Sequence, residues 1–152
     1  MALEHEFYLI PKTANIQEYW QYTHEERTYL DCVVLHDDLI LYIMDSLKWI
    51  PTKNPGIRNM PAGYGINYHG LTLFDNQSAI TLRNVFSAWR DLFENAPKVM
   101  KLTGSFVWSD KEEGEYERLI LNRNLVIMQL ERMITMAEKL LDGEVYIYHS
   151  GI

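Results

Sequence analysis

The chain is 152 residues long, with 14 basic and 21 acidic side chains, a net charge of −7 and one cysteine. That length suits one domain of roughly 100–200 residues, and such a chain buries about two-thirds of its unfolded surface without needing a metal or disulfide staple. At 47% hydrophobic and 23% charged it is neither disordered nor membrane-embedded by composition, and the acidic balance argues against nucleic-acid binding, whose footprint is a basic face.

At the start of the chain, Glu4, His5 and Glu6 precede a short apolar run, Phe7–Ile10, that stops at Pro11. This is not the signal-peptide pattern of basic residues followed by about 7–15 apolar ones. The densest apolar run, Leu39–Met44, is six residues, far short of the ~18–20 of a spanning helix. A cytoplasmic protein with no membrane partner is therefore expected. Cys32 cannot form an intrachain disulfide and has no cationic sequence neighbour to lower its pKa, so it should be a buried, inert thiol.

Phe7–Ile10 reads as a short strand. A short helix follows from about Asn15 to Tyr22, with Thr13 as candidate N-cap and Ile16, Tyr19 and Trp20 on its apolar side. Thr23 then caps a long helix with Glu25 and Glu26 in its first turn, where the dipole favours anions. Its stripe runs through Leu30, Val33 and Val34, then Ile40, Leu41, Met44 and Leu47, and Pro51 ends it. A rival reading makes the β-branched stretch Tyr29–Leu35 a strand, with a turn at His36-Asp37-Asp38 and Asp38 capping a shorter helix; the continuous helix is preferred.

Pro51 to Gly70 holds three of the five prolines and four of the eight glycines, so residues 51–63 are expected to form a long irregular loop. Strands follow at Tyr64–Tyr68 and Leu71–Phe74. Ser78 opens an amphipathic helix to about Asn95, with Leu82, Val85, Phe86, Trp89, Leu92 and Phe93 on one face. A strand around Leu102–Trp108, broken at Gly104, precedes a last helix expected from about Glu112 to Asp142. Its stripe is Tyr116, Ile120, Ile127, Leu130, Ile134, Ala137 and Leu141, widened by Leu119, Val126, Met133 and Leu140 at steps of seven, and Gly143 stands at C′. Val145–Tyr148 is the final strand. The whole predicts an α+β fold in a single domain over 1–152: a small, mainly antiparallel sheet packed against three or four helices, the longest near the C-terminus.

Charge is segregated. Residues 1–47 hold nine acids and two bases, residues 48–108 seven bases and three acids, and residues 109–152 nine acids and five bases, so the segments sum to −7, +4 and −4. The basic centre can pack between the acidic ends. The sharper expectation is an acidic face on the N-terminal helices that meets a basic protein partner in a salt-screened encounter.

Motifs are mostly excluded. Gly63-Tyr64-Gly65 begins like a dinucleotide fingerprint, but Tyr68 occupies the third glycine position. His24-Glu25-Glu26-Arg27-Thr28 begins like a zincin helix, but Thr28 replaces the second histidine. There is no Walker-type phosphate loop, Cys-x-x-Cys pair or Gly-x-Ser-x-Gly elbow. Asp31, His36, Asp37 and Asp38 cluster in sequence but do not converge on one helix face, so no metal site and no cofactor are expected. Asp37 and Arg123 each fall in the apolar stripe of a long helix with opposite charge. An unpaired buried charge is very costly, so the two are expected to form a structural ion pair between helices.

Tyr and Trp make up 14 of the 19 aromatics; both suit interfaces and half-open pockets. Tyr64, Tyr68, His69, Trp108, Tyr146 and Tyr148 fall on expected strands, and Tyr64, Tyr68, His69 and Trp108 could line a binding groove with Arg58. Two functions follow. One is a non-catalytic binding protein that masks or regulates a partner, in the manner of an immunity or antitoxin module. The alternative is a small-molecule binder or enzyme between the 51–70 loop and the sheet, with His69 as acid–base and Arg58 as anion clamp. The wide stripe of the last helix also leaves room for a homodimer.

Overall fold

The structure is a computed structural model describing residues 3–110 and 112–152. Its frame is set by β1 (Glu4–Pro11), whose alternate side chains serve two cores. Phe7 and Leu9 join the large core under the helices, whereas Tyr8 and Ile10 join a smaller core on the opposite side of the sheet. β2 (Asp31–His36), β3 (Pro51–Lys53), β4 (Ala62–Tyr64), β5 (Leu71–Phe74) and β8 (Val145–Ser150) complete a six-stranded sheet in the order β2-β1-β8-β5-β3-β4. Its pairings are antiparallel. The helices are α1 (Ile16–Tyr19), α2 (Asp37–Leu47), α3 (Ala79–Phe93) and α4 (Arg123–Lys139), the last prolonged by a 3-10 turn at Leu140–Asp142. The fold is thus α+β with its longest helix near the C-terminus. Among the described residues, no helix is long and apolar enough to cross a membrane.

Three expectations are corrected by strand pairing. The long early helix is not formed: residues 31–36 are β2, paired with β1 from Glu4↔His36 to Leu9↔Asp31. Val33 and Leu35 are both fully buried, so an inward period of two prevails over the helical spacing. Secondly, the 51–63 loop holds two short strands, with Pro51 at the first position of β3, where a missing N–H costs least; the strand expected at 64–68 ends at Tyr64. Thirdly, the last helix begins only at Arg123. Gly114–Asn122 is instead a strand, β7, paired with β6 (Val99–Trp108). Tyr116 and Ile120, expected in the apolar stripe of that helix, are exposed, as the outer face of a ribbon allows; Leu119, on the alternate side, is buried.

α3 packs along α4, and both cover the sheet. Leu82, Phe86, Leu130, Met133, Met136, Ala137 and Leu140 are essentially inaccessible; burying each Leu, Met or Phe side chain among them contributes roughly 1.5–3 kcal/mol. Gly143 ends the helical run in the left-handed region at φ 74°, donating to Leu140 O. α4 also seals the outer edge of the sheet: Gln129 Nε2 donates to Val34 O at 2.9 Å, and an Arg132 guanidinium nitrogen donates to Cys32 O and to Asp31 Oδ1, both at 2.7 Å. These side chains occupy acceptors that would otherwise invite another strand.

On the opposite face, residues 12–30 fold over β1 and β8. Ile16 and Tyr19 pack on Tyr8, Ile10, Leu73 and Tyr148. Arg27 plugs this layer, its guanidinium 5.0 Å from the Tyr8 ring centroid, 5.5 Å from Tyr19 and 5.9 Å from Tyr148, with Glu6 at 3.6 Å. Cation–π attraction favours Arg over Lys here.

The β7-to-α4 switch is set by Asn122, whose Oδ1 accepts from Leu125 N at 3.0 Å. Asn122→Ala should lower stability by about 1 kcal/mol. Urea titration will show this as a lower midpoint at unchanged slope.

Candidate functional site

Two places concentrate functional side chains. The first is a buried polar chain at one end of the helix-facing side of the sheet. His5 on β1 and His149 on β8 are neighbours across the Phe7↔His149 pairing, and both are fully inaccessible. Their rings stack with centroids 5.3 Å apart. His5 Nε2 lies 3.0 Å from Asp37 Oδ1, His5 Nδ1 lies 3.0 Å from His149 Nε2, and His149 Nδ1 lies 3.4 Å from Thr72 Oγ1. Asn67 N donates to Thr72 Oγ1 at 2.8 Å, and the Tyr68 hydroxyl donates to Asp37 Oδ1 at 2.5 Å.

One assignment of protons satisfies every member. The carboxylate accepts from His5 Nε2–H, so His5 Nδ1 accepts from His149 Nε2–H, and His149 Nδ1 accepts from the Thr72 hydroxyl. Both imidazoles are then neutral. Burial pushes His149 down to about 3, helped by His5 alongside. Burial also lowers His5, against the opposing pull of Asp37. Tyr68 is pushed up to about 12, first by burial and then by its bond to Asp37.

The second place is the β6–β7 ribbon, an arm that pairs with no strand of the main sheet. Its register sets Phe106 opposite Tyr116 and Trp108 opposite Gly114, after an irregularity between Thr103 and Phe106. The Phe106 ring is 5.6 Å from Trp108 and 5.1 Å from Tyr116, both edge-on. It fills the space over Gly114, where an added Cβ would approach it to 2.2 Å. This aromatic face is open: Trp108 is 73% and Tyr116 60% exposed, with Ile120 at 65% nearer the root. Residues 109–117 at the tip hold five acids and one base, a net of −4.

The structure scatters the residues singled out from sequence. Tyr68 joins the polar chain, and exposed His69 stands edge-on to it at 4.6 Å. Arg58 is exposed in the loop after β3. Tyr64, 74% exposed, lines a cleft of about 320 Å³ between the 52–54 and 61–67 segments and β5, but neither Arg58 nor His69 lines it. Trp108 lies on the arm. The Asp37–Arg123 pair does not form: Asp37 is held by His5 and Tyr68, while Arg123 donates to Ala96 O at 2.8 Å and to Asn124. The pair required both residues to sit mid-helix, and each instead is the first residue of its helix. The ion pair tying α4 to the N-terminal region is Asp31–Arg132, at 2.7 Å. His5 and His149 went unnoticed because they are 144 positions apart and only strand register joins them. Among the described residues, no three His, Cys, Asp or Glu side chains converge to hold a metal ion.

No protein-family model matches the chain, and neither do any curated protein or solved structure.

Two measurements check these environments. A histidine held neutral below its unfolded pKa of ~6.5 contributes stability above that pH and loses it as the pH falls. Urea unfolding free energy should therefore decline from about pH 7 to pH 5, and His149→Gln should flatten that decline; a flat wild-type profile contradicts the neutral pair. Cys32 is half-buried, and burial, followed by Glu6 and Asp31, pushes its thiol up to about 11. Iodoacetamide at mildly alkaline pH should label native Cys32 about 100-fold more slowly than unfolded Cys32, since the thiolate is the nucleophile.

Proposed function

We propose that this protein is a non-catalytic binding protein that masks or regulates a partner protein, and that the β6–β7 arm is its main contact. The observation that carries this reading is the arm's exposed aromatic face. A two-stranded ribbon is marginal alone in water, yet here Trp108, Tyr116 and Ile120 point outward and cover nothing of their own chain's core. Tyr and Trp present rigid apolar bodies with polar edges, the composition of interface centres.

The tip's net charge of −4 gives the partner its sign. A basic surface would be steered to the arm at low salt and released as the field is screened. Of the nine acids in the first 47 residues, Glu6, Asp31, Asp37, Asp38 and Asp45 have a basic or imidazole partner, whereas Glu4, Glu18, Glu25 and Glu26 are exposed. The small-molecule alternative retains its cleft but loses both named groups, since His69 and Arg58 lie outside it.

The test is affinity capture from native lysate with the wild-type chain and with Trp108→Ala/Tyr116→Ala. A basic protein should be retained by wild type at low salt, be released near 1 M salt, where the Debye length is ~3 Å, and be lost with the variant. Equal retention by both chains, or turnover of a small molecule by the purified protein, overturns the reading.

A further inference from the structure

We infer that the outer edge of β7 adds a strand from the partner, an extended segment that alternates basic with apolar residues. This rests on the partner-binding reading above and adds to it a mode of docking and a sequence pattern.

β7 pairs with β6 on one side, and no strand pairs with its other. Two hydrogen bonds fix which main-chain groups face outward. Arg123 N donates to Lys98 O and Ser109 N to Glu113 O, both at 2.9 Å, so the odd positions of β7 turn their N–H and C=O towards β6. The even positions Tyr116, Arg118 and Ile120 turn theirs away, and all three residues are exposed. β7 is continuous over this stretch; the irregularity in the pairing adds its residue to β6, between Thr103 and Phe106. A bulge spoils an edge for further pairing. Leu41 and Tyr42 of α2 also stand beside β6 there, across a cleft of about 270 Å³ that Thr103, Gly104 and Ser105 border. The outer edge of β7 has no bulge to spoil it, and a regular open edge is a template for main-chain pairing.

The side chains state what the added strand carries. Tyr116 and Ile120 lie on the open side of the ribbon with Arg118 between them, and Glu115 and Glu117 lie on the other. All five border one hollow of about 650 Å³. Among the described residues, no ion pair includes Glu115, Glu117 or Arg118. Directly paired residues share a side. A strand bonded to Tyr116, Arg118 and Ile120 therefore sets apolar residues against the first and last, an acid against Arg118, and bases against Glu115 and Glu117. A second copy does not fit this edge. In twofold antiparallel pairing, each register centred within residues 115–118 sets Glu against Glu or Arg against Arg, and like charges directly opposite are destabilising.

The probe is a fluorescein-labelled peptide, Lys-Val-Lys-Glu-Lys-Val-Lys, which reads the same in both directions and so serves parallel or antiparallel addition. Its valines and its glutamate are the residues whose main chain would face β7. N-methylation of the two valines should weaken binding, followed by anisotropy, about tenfold, whereas N-methylation of the two lysines flanking the glutamate should leave it within about twofold. Glu115→Lys/Glu117→Lys should also weaken binding of the unmethylated peptide about tenfold. On binding, amide exchange should slow at Tyr116, Arg118 and Ile120. Absence of binding, equal effects of the two methylation patterns, or full binding to the charge-reversed variant overturns the inference. So does a concentration-dependent dimer of the protein, seen by sedimentation, that the peptide dissolves. In the capture experiment, Arg118→Pro removes an N–H that the β6 pairing does not use. A partner kept by Arg118→Pro but lost with Trp108→Ala/Tyr116→Ala removes the strand addition and leaves the arm's aromatic face. The reverse outcome leaves the edge standing and removes the aromatic face.

Discussion

Asp37 is the point on which the architecture turns. It is the residue where β2 stops and α2 begins, and it is held from three directions. Its backbone N–H donates to Leu3 O at 3.0 Å, while its carboxylate accepts from His5 on β1 and from Tyr68 beyond β4. His36 completes the switch by accepting from Asp38 N as the helix cap. Each buried member of the chain needs its neighbour: removing the carboxylate orphans His5, and an orphaned buried polar group costs ~1–3 kcal/mol. Because the chain runs across β1, β8 and β5, it fixes where α2 departs from the sheet. That departure in turn places Ser46 and Trp49 beside α3, where the Ser46 hydroxyl accepts from Trp89 Nε1.

The molecule treats its strand edges unequally. β2, the longer outer edge, has two carbonyls covered by Gln129 and Arg132, and the far edge, β4, is only three residues long. Both are familiar ways of preventing unwanted strand addition. The arm has no comparable cover on its aromatic face, and its strands are nine and ten residues long. A fold that guards its short edges while presenting a long ribbon with an open aromatic side distinguishes the two places physically.

How much could be read from the sequence depends on whether a segment's period is decided locally. α3 was legible because Leu82, Val85, Phe86, Trp89 and Phe93 fit one helical face and no other pattern. Leu71–Phe74, Gly143 at the helix end and the break near Gly104 were legible for similar reasons. Residues 31–36 satisfy both periods: Val33 and Leu35 alternate, while Leu30, Val33 and Val34 step as a helix, and only pairing with β1 decides. Gly114–Asn122 is the same problem. Tyr116 and Ile120 are four apart, yet the partner that decides the matter is β6, and the local clue was Asn122, a good cap placed mid-helix in the expected element. The polar chain was further out of reach, since His5 comes from the first strand, Asp37 from the start of α2 and His149 from the last strand. An odd position on β1 becomes chemically significant only when β8 lies beside it.

The same reasoning limits what segment charge can locate. Net charge by segment counts residues and says nothing of their partners. In the first 47 residues, several acids have an arginine, lysine or histidine within ion-pair distance, some of them partly buried. A paired acid contributes little to the field at a distance, because its dipole falls off faster than a lone charge and salt screens the remainder within ~8–10 Å. At the arm's tip Asp110, Glu112 and Glu113 lie between the strands, while Glu115 and Glu117 are on β7, where alternation puts them on one side and Arg118 on the other. Exposed carboxylates are solvated and cost little by themselves, so what distinguishes the arm is its open aromatic face, on the side of the ribbon away from Glu115 and Glu117.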